Sequence, residues 1–110
     1  MNLSTRTLLG MPVLRIEGDV DPDDAPVLEL AAWEALGLHG TRVILDMEGC
    51  TYVSSAGLAV LLSLTRWARS KEGLIVAVQP NAQILRLLQL VRLTEERGFR
   101  VTVDLESAAQ

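Results

Sequence analysis

The chain has 110 residues, a hydrophobic content of 49% and a formal net charge of −4 at pH 7. This length allows one domain with a real core, so residues 1–110 are predicted to form a single domain. The net charge and the lack of a basic cluster along the sequence argue against nucleic-acid binding, which needs cations gathered on one face. One cysteine excludes an internal disulfide and a multi-cysteine zinc site.

The sequence has no pattern typical of export or membrane insertion. Its first residues do not resemble a signal peptide, and its longest uncharged run, residues 49–65, is too short and too polar to span a bilayer. We therefore expect a soluble, cytoplasmic protein that does not insert into a membrane.

The first predicted elements form a hairpin. Short strands are predicted over residues 5–9 and 13–17, and the turn-forming residues Gly10 to Pro12 lie between them. Residues 18–21 are predicted to leave the second strand.

A helix is predicted next, with Asp24 as its N-cap and Gly37 as its end. The carboxylates around its start complement a helix dipole, and a metal site is the alternative. Four carboxylates without further ligands are weak support for a metal site. These residues are Asp19, Asp21, Asp23 and Asp24.

The centre of the chain is predicted to be a strand, a loop and a helix. Val43 to Leu45 is a β-branched run typical of a buried strand, and Gly49 marks a loop. The segment from Ser55 onward has helical length and is predicted to stop at Gly73.

Two adjacent serines, Ser54 and Ser55, lie where this helix begins. Serine is a favoured N-cap, because its hydroxyl accepts a hydrogen bond from a first-turn N–H group. One serine is enough for a cap. The second would be accessible beside small neighbours, and a phosphate there would be favoured by the helix dipole.

Strand and helix patterns continue to alternate after the central segment. A buried strand is predicted over 74–78, Asn81 can cap the following helix, and Asp104 can cap a last helical turn. The predicted apolar stripe of the penultimate helix is Ile84, Leu87, Leu88 and Val91. The inward side chains of a final edge strand are predicted to be Phe99, Val101 and Val103.

This alternation predicts an α/β domain. An N-terminal hairpin leads into a mainly parallel sheet of four to five strands, with helices packed against it.

The central segment closely resembles a known family. The run Val43-Ile44-Leu45-Asp46, followed by residues 52–61 with Ser54-Ser55-Ala56-Gly57-Leu58, is similar to the STAS domain, named for sulfate transporters and anti-sigma factor antagonists. The family motif reads Asp-Ser-Ser/Thr-Gly-Leu, with the modified serine directly after the aspartate. In this chain Ser55 stands at the modified position and Ser54 replaces the aspartate.

The resemblance implies an anti-sigma factor antagonist that docks on an anti-sigma factor serine kinase and so releases a sigma factor. The kinase would phosphorylate Ser55 and end the complex, and a PP2C-type phosphatase would reset it. The expected partner contacts are Asp19, Asp21, Tyr52, Val53, Ser54, Ser55 and Leu58. No cofactor is implied.

Two other functions remain open. The chain could be a structural STAS subunit of a signalling scaffold or a lipid-transport complex, with Ser55 only a helix cap. The serine pair could also serve hydrolysis or ligand binding, but a hydrolase needs a base near its nucleophile. The one histidine, His39, is predicted in a loop at the opposite end of the central strand. No catalytic residue and no enzyme activity are therefore expected.

Overall fold

The structure is a computed structural model that describes residues 1–39 and 42–110, with only the backbone of Leu38 and His39. The strands of the described chain are β1 (Asn2–Leu8), β2 (Met11–Val20), β3 (Arg42–Asp46), β4 (Cys50–Val53), β5 (Leu74–Val78) and β6 (Phe99–Thr102). The helices are α1 (Ala25–His39), α2 (Ser55–Ser70), α3 (Ala82–Leu90) and α4 (Leu105–Ala108), with 3₁₀ turns at Pro22–Asp24 and Leu93–Glu95.

The strands form a sheet in the order β1-β2-β3-β5-β6, and β4 pairs with β2 beside this path. β1 and β2 are antiparallel, and the other pairings in the described sheet are parallel. The predicted α/β class and the N-terminal hairpin are therefore confirmed. The described residues contain six strands rather than four to five, because residues 50–53 of the predicted loop form β4.

The hairpin turn is tighter than predicted. It consists of Leu9 and Gly10, whose φ angles are 51° and 80°, and Met11 and Pro12 already belong to β2. Positive φ at both central residues is the pattern of two-residue hairpin turns that match the strand twist. The prediction of a turn over Gly10 to Pro12 was wrong in its bounds.

β2 extends three residues further than predicted, to Val20. Gly18 has a φ of 82°, and the pairing register with β4 shifts between Gly18 and Asp19. Such a bulge bends a strand and changes its direction. β2 therefore pairs with β3 through residues 13–15 and with β4 through residues 18–20.

The 3₁₀ turn at Pro22–Asp24 leads directly into α1, so helical backbone begins earlier than predicted, and α1 also ends later than predicted. Asp24 lies inside the 3₁₀ turn, where its Oδ2 accepts a hydrogen bond from the Asp21 N–H at 2.9 Å. Asp24 is thus not the N-cap that the sequence predicted. α1 continues through Gly37 to His39, so His39 ends a helix rather than lying in a loop.

The sheet is covered unequally on its two faces. On the first face, α1, α2 and α3 pack against inward side chains such as Leu14, Leu45 and Ile75. On the second face, α4 covers a smaller cluster, which consists of Val13, Ile44, Val76, Val78 and Ala108. Burial on both sides explains the continuous apolar runs of β3 and β5.

Both predicted caps in the last third of the chain are confirmed. Asn81 Oδ1 accepts from the Ile84 N–H at 2.8 Å, and Asp104 Oδ1 accepts from the Ser107 N–H at 2.7 Å. The hydrogen bond from Ser107 lowers the pKa of the Asp104 carboxyl.

Two predicted core positions in this part of the chain were wrong. Val91 is 44% exposed and Val103 is 77% exposed. Arg92 has a φ of 60°, which reverses the chain after α3, and Leu93 becomes the fully buried residue instead.

Replacement of Leu61 by aspartate should abolish cooperative folding. Leu61 is 1% exposed within the first-face core, and a carboxylate there would lose its hydration without gaining a partner. We expect the free energy of unfolding to fall by more than about 4 kcal/mol, measured by thermal and denaturant unfolding. Ser63→Asp is the matched control, since Ser63 is exposed on the same helix. A cooperative, near-native melt of Leu61→Asp would contradict this packing.

Candidate functional site

Ser54 joins β4 to α2 and is held by three hydrogen bonds. Its N–H donates to the Val20 carbonyl at 2.9 Å, its Oγ accepts from the Gly57 N–H at 3.2 Å, and its carbonyl accepts from the Leu58 N–H at 2.9 Å. Ser54 is 3% exposed. The prediction that one serine caps α2 is confirmed, and the capping residue is Ser54.

Ser55 is the first residue of α2 and is exposed. Among the described residues, no hydrogen bond engages its hydroxyl. The N-terminal end of a helix carries partial positive charge and N–H groups without intrahelical acceptors. A negative group on Ser55 would therefore be favoured electrostatically by its own helix.

Gly57 allows α2 to begin directly against the sheet. A Cβ atom at this position would lie 2.9 Å from Val53 Cγ1 and 3.0 Å from Val20 Cγ1, both closer than normal carbon contacts. The absence of a side chain at Gly57 thus lets the ends of β2 and β4 contact the first turn of α2. This close approach fixes where Ser54 and Ser55 stand.

The pairing of β2 with β4 brings several predicted site residues together. Asp19 lies opposite Tyr52, and the Thr51 hydroxyl donates a hydrogen bond to the Asp19 carboxylate. Asp21 follows at the start of the 3₁₀ turn, which contacts α2. We call the exposed side chains at these strand ends the Ser55 surface: Asp19, Asp21, Tyr52 and Ser55.

Other predicted contact residues lie beneath this surface. Val53 is 2% exposed and packs in the first-face core, and Ser54 is equally enclosed. Leu58 is partly buried against the same core. The sequence did not predict the hydrogen bond between Thr51 and Asp19, because this contact depends on β4 being a strand and residues 50–53 were predicted as a loop.

Cys50 is enclosed at the start of β4. It is 2% exposed, and its Sγ lies 3.7 Å from the Tyr52 carbonyl oxygen. Burial raises the pKa of the Cys50 thiol above its usual value. The protonated thiol is a poor nucleophile, and Cys50 acts as a small core residue.

The described carboxylates near the site do not form a metal centre. No group of three or more His, Cys, Asp or Glu residues in residues 1–39 and 42–110 is arranged to hold a metal ion. Asp19 is engaged by Thr51 and Asp24 by the Asp21 N–H. None of the described helices is long and apolar enough to cross a membrane.

The family follows from a comparison with known sequences. A sequence model of the family described as "Mlab, STAS domain" matches residues 4–104. The chain belongs to the STAS domain family. The match extends from within β1 to the cap of α4.

Relatives and solved structures agree with this assignment. The chain is 27% identical over 90 residues to a protein of Bordetella bronchiseptica named as the anti-sigma factor antagonist BtrV, covering 82% of this chain and 78% of BtrV. Its fold is similar to that of an anti-sigma factor antagonist of Thermotoga maritima, with a TM-score of 0.86, 17% identity and coverage of 97% and 91% of the two chains. It is also similar to phosphorylated SpoIIAA of Bacillus, with a TM-score of 0.77, 16% identity and coverage of 98% and 96%.

Valine at position 57 should destabilise this STAS domain. Its side chain would meet the Val53 and Val20 methyl groups, and these β-branched neighbours have few alternative rotamers. We expect the free energy of unfolding to fall by about 1–3 kcal/mol or more, measured by denaturant titration. Ala59→Val, at an exposed position of α2, is the control. Equal stability of the two variants would contradict the close contact at Gly57.

Alanine substitution should distinguish the two serines. Ser54→Ala removes the acceptor for the Gly57 N–H and should cost about 1 kcal/mol of folding free energy. Ser55→Ala removes an exposed hydroxyl and should change stability by less than about 0.5 kcal/mol. Paired thermal melts measure the difference, and a larger loss at Ser55 would mean that the cap is wrongly assigned.

Proposed function

We propose that residues 1–110 act as one STAS domain that is an anti-sigma factor antagonist. In this proposal the chain binds an anti-sigma factor, which is a serine kinase, and so releases the sigma factor that the kinase holds. The family membership and the named function of BtrV support this class of partner. The protein would act in the cytoplasm, where sigma factors work.

The observation that carries the proposal is the difference between the two serines. Ser54 is enclosed and its Oγ caps α2, whereas Ser55 is exposed and its hydroxyl is not needed by the fold. A kinase can reach Ser55 without opening the helix. We therefore propose Ser55 as the phosphorylation site.

Phosphorylation of Ser55 would weaken docking for an electrostatic reason. A phosphate adds about −1.5 to −2 charges at neutral pH. It would join the carboxylates of Asp19 and Asp21 on the Ser55 surface, and a partner covering this surface would have to desolvate all of these charges. Binding would fall while the fold persists, because the Ser54 cap is untouched. A PP2C-type phosphatase would restore the binding form.

The proposed contacts are the exposed residues of the Ser55 surface, together with the partly buried Leu58. Val53 and Ser54 contribute by holding the start of α2 in position, since both are enclosed. We propose no catalytic role for the chain. The Cys50 thiol has a raised pKa, and the Ser54 hydroxyl already accepts a hydrogen bond from a backbone N–H group.

A second candidate is a non-catalytic STAS subunit of a larger signalling scaffold or lipid-transport complex. One observation favours this candidate. Ser54 occupies the position of the family's aspartate, and its side chain serves as a helix cap. Without that carboxylate, the same surface could bind a permanent partner that does not phosphorylate it.

The proposal predicts a single phosphate on Ser55. The purified chain is incubated with ATP and a cognate anti-sigma factor kinase, and intact-mass and fragment mass spectrometry locate the modification. Phosphate on Ser54 would overturn the proposed site. A stable complex without any phosphate would favour the scaffold.

Binding of three variants, followed by calorimetry, tests the switch itself. Ser55→Ala should bind the kinase persistently, and Ser55→Asp should bind at least about tenfold more weakly, a loss of about 1.4 kcal/mol. Ser63→Asp is the control, because it adds the same charge to an exposed position of α2 outside the Ser55 surface. Equal weakening by both aspartates would mean that net charge, and not this surface, decides binding.

A further inference from the structure

β1 forms one edge of the sheet and leaves alternate backbone groups without a partner. Among the described strands it pairs with β2 alone. Because Leu8 and Met11 close a two-residue turn, they form a hydrogen-bonded pair, and such pairs recur at every second residue of an antiparallel ladder. The N–H and C=O groups of the residues between these pairs therefore point away from β2. These residues are Leu3, Thr5 and Thr7.

This edge is longer and less protected than the others. β1 has seven residues, whereas β4 and β6, which also pair with one strand only, have four each. β1 contains no proline and its register with β2 is regular throughout. Within the described residues, no backbone hydrogen bond outside this ladder engages it. Long edges are commonly shielded by prolines, bulges or covering loops, and an unshielded edge is a template for another strand.

A cavity lies beside this edge on the first face of the sheet. Its volume is about 270 Å³, and its described lining comes from β1, β2 and α1. Thr5 and Thr7 form the exposed part of its floor, and Ala31 and Glu34 form part of its wall. The space beside the edge is therefore bounded by short side chains on both sides.

Exposed apolar side chains extend this groove along α1. Val27 and Leu30 are 56% and 61% exposed, and they lie four residues before Ala31 and Glu34, respectively. Residues four apart share one side of a helix. α1 thus presents an uncovered apolar stripe next to an uncovered strand edge. Strand addition uses both features, since main-chain hydrogen bonds join the new strand to the edge and pockets receive its alternate side chains.

We propose that β1 binds an extended segment of a partner protein as an added antiparallel strand. The segment exchanges main-chain hydrogen bonds with Leu3, Thr5 and Thr7, and its side chains opposite these residues point onto the first face. Because a cavity of roughly 150 Å³ holds a benzene ring, the cavity of about 270 Å³ has room for an aromatic side chain. The first-face residues of the segment are therefore aromatic or large aliphatic.

Charge specifies the other side of this segment. Arg6 is exposed and pairs with Val13, which belongs to the second-face cluster, so Arg6 stands on the second face. Within the described residues, no carboxylate forms an ion pair with it. Opposite charges on neighbouring strands stabilise a sheet. The segment is therefore expected to alternate large apolar residues with polar ones, with a carboxylate beside Arg6.

A second copy of this chain fits the groove less well. Its β1 would present Thr5 and Thr7, whose short side chains cannot fill the cavity. Its Leu3 is already packed against its own core. β1 also contains no carboxylate to place beside Arg6.

Peptides that differ in single N–H groups test the strand pairing. The probe is an acetylated and amidated peptide with the sequence Thr-Phe-Glu-Phe-Glu-Val-Thr. In the proposed pairing the N–H groups of its phenylalanines face β1 and those of its glutamates face away. Amide shifts in the NMR spectrum of the protein should saturate and map to β1 and α1. N-methylation of both phenylalanines should abolish these shifts, and N-methylation of both glutamates should leave them.

Variants of the chain give matched controls. Thr5→Pro removes an outward N–H group without removing a bond to β2, so it should weaken binding roughly tenfold, whereas Thr5→Val should bind normally. Ala31→Phe should block the groove, and Ala59→Phe, at an exposed position of α2, should not. Arg6→Met should weaken binding roughly threefold, and Arg86→Met, on α3, should leave it unchanged. Thermal melts establish that each variant is folded, and the two phenylalanine variants decide the test if Thr5→Pro is not.

Three results would overturn the proposal. These are no saturable binding, equal loss from the two N-methylated peptides, or shifts confined to the Ser55 surface. Concentration-dependent self-association that Thr5→Pro abolishes would assign this edge to a second copy instead. The groove lies at the opposite end of β2 from the Ser55 surface. Ser55→Asp should therefore bind the peptide normally, so failure of the switch and failure of this inference give different results.

Discussion

The contact between Gly57 and the ends of β2 and β4 is the constraint on which the rest of the site depends. A Cβ atom at this position would lie 2.9 Å from a Val53 methyl carbon and 3.0 Å from a Val20 methyl carbon, so α2 can rest on the sheet only because no side chain is present. That placement brings the Gly57 N–H to Ser54 Oγ and turns Ser55 outward. The hydrogen bonding of one serine and the exposure of the next therefore have a common steric cause.

This arrangement separates the serine that stabilises the fold from the serine proposed as the phosphorylation site. The Ser54 hydroxyl accepts a buried hydrogen bond, whereas no hydrogen bond engages the Ser55 hydroxyl among the described residues. In the proposed switch, a charge added at Ser55 would change the surface that the partner meets and would leave the cap intact. The acidic side chains of Asp19 and Asp21 stand at the same strand ends, so the added charge acts where negative charge is already concentrated.

The modest net charge of the chain conceals an uneven distribution. The Ser55 surface is acidic, while the second face of the sheet holds Arg6, Arg42 and Arg100 without carboxylate partners in the described residues.

The sequence alone predicted the features of this protein that depend on residues close together along the chain. The caps at Ser54, Asn81 and Asp104 depend on residues within three positions of one another, and the buried strands β3 and β5 appear as short apolar runs. The family motif likewise lies within one short segment. These features depend on neighbours along the chain, which a sequence displays directly.

Tertiary structure decided the features that depend on strand pairing. The bulge at Gly18 redirects β2 from β3 to β4, and this makes residues 50–53 a strand and joins Thr51 to Asp19. Arg6 and Arg100 lie in one row on the second face only because β2, β3 and β5 pair between their strands. Neither arrangement leaves a periodic signal, because pairing energy depends on which strands meet and in what register. Composition and spacing therefore predicted most of the strands and helices and the cap at Ser54, but not β4, and the sheet determined which side chains share a surface.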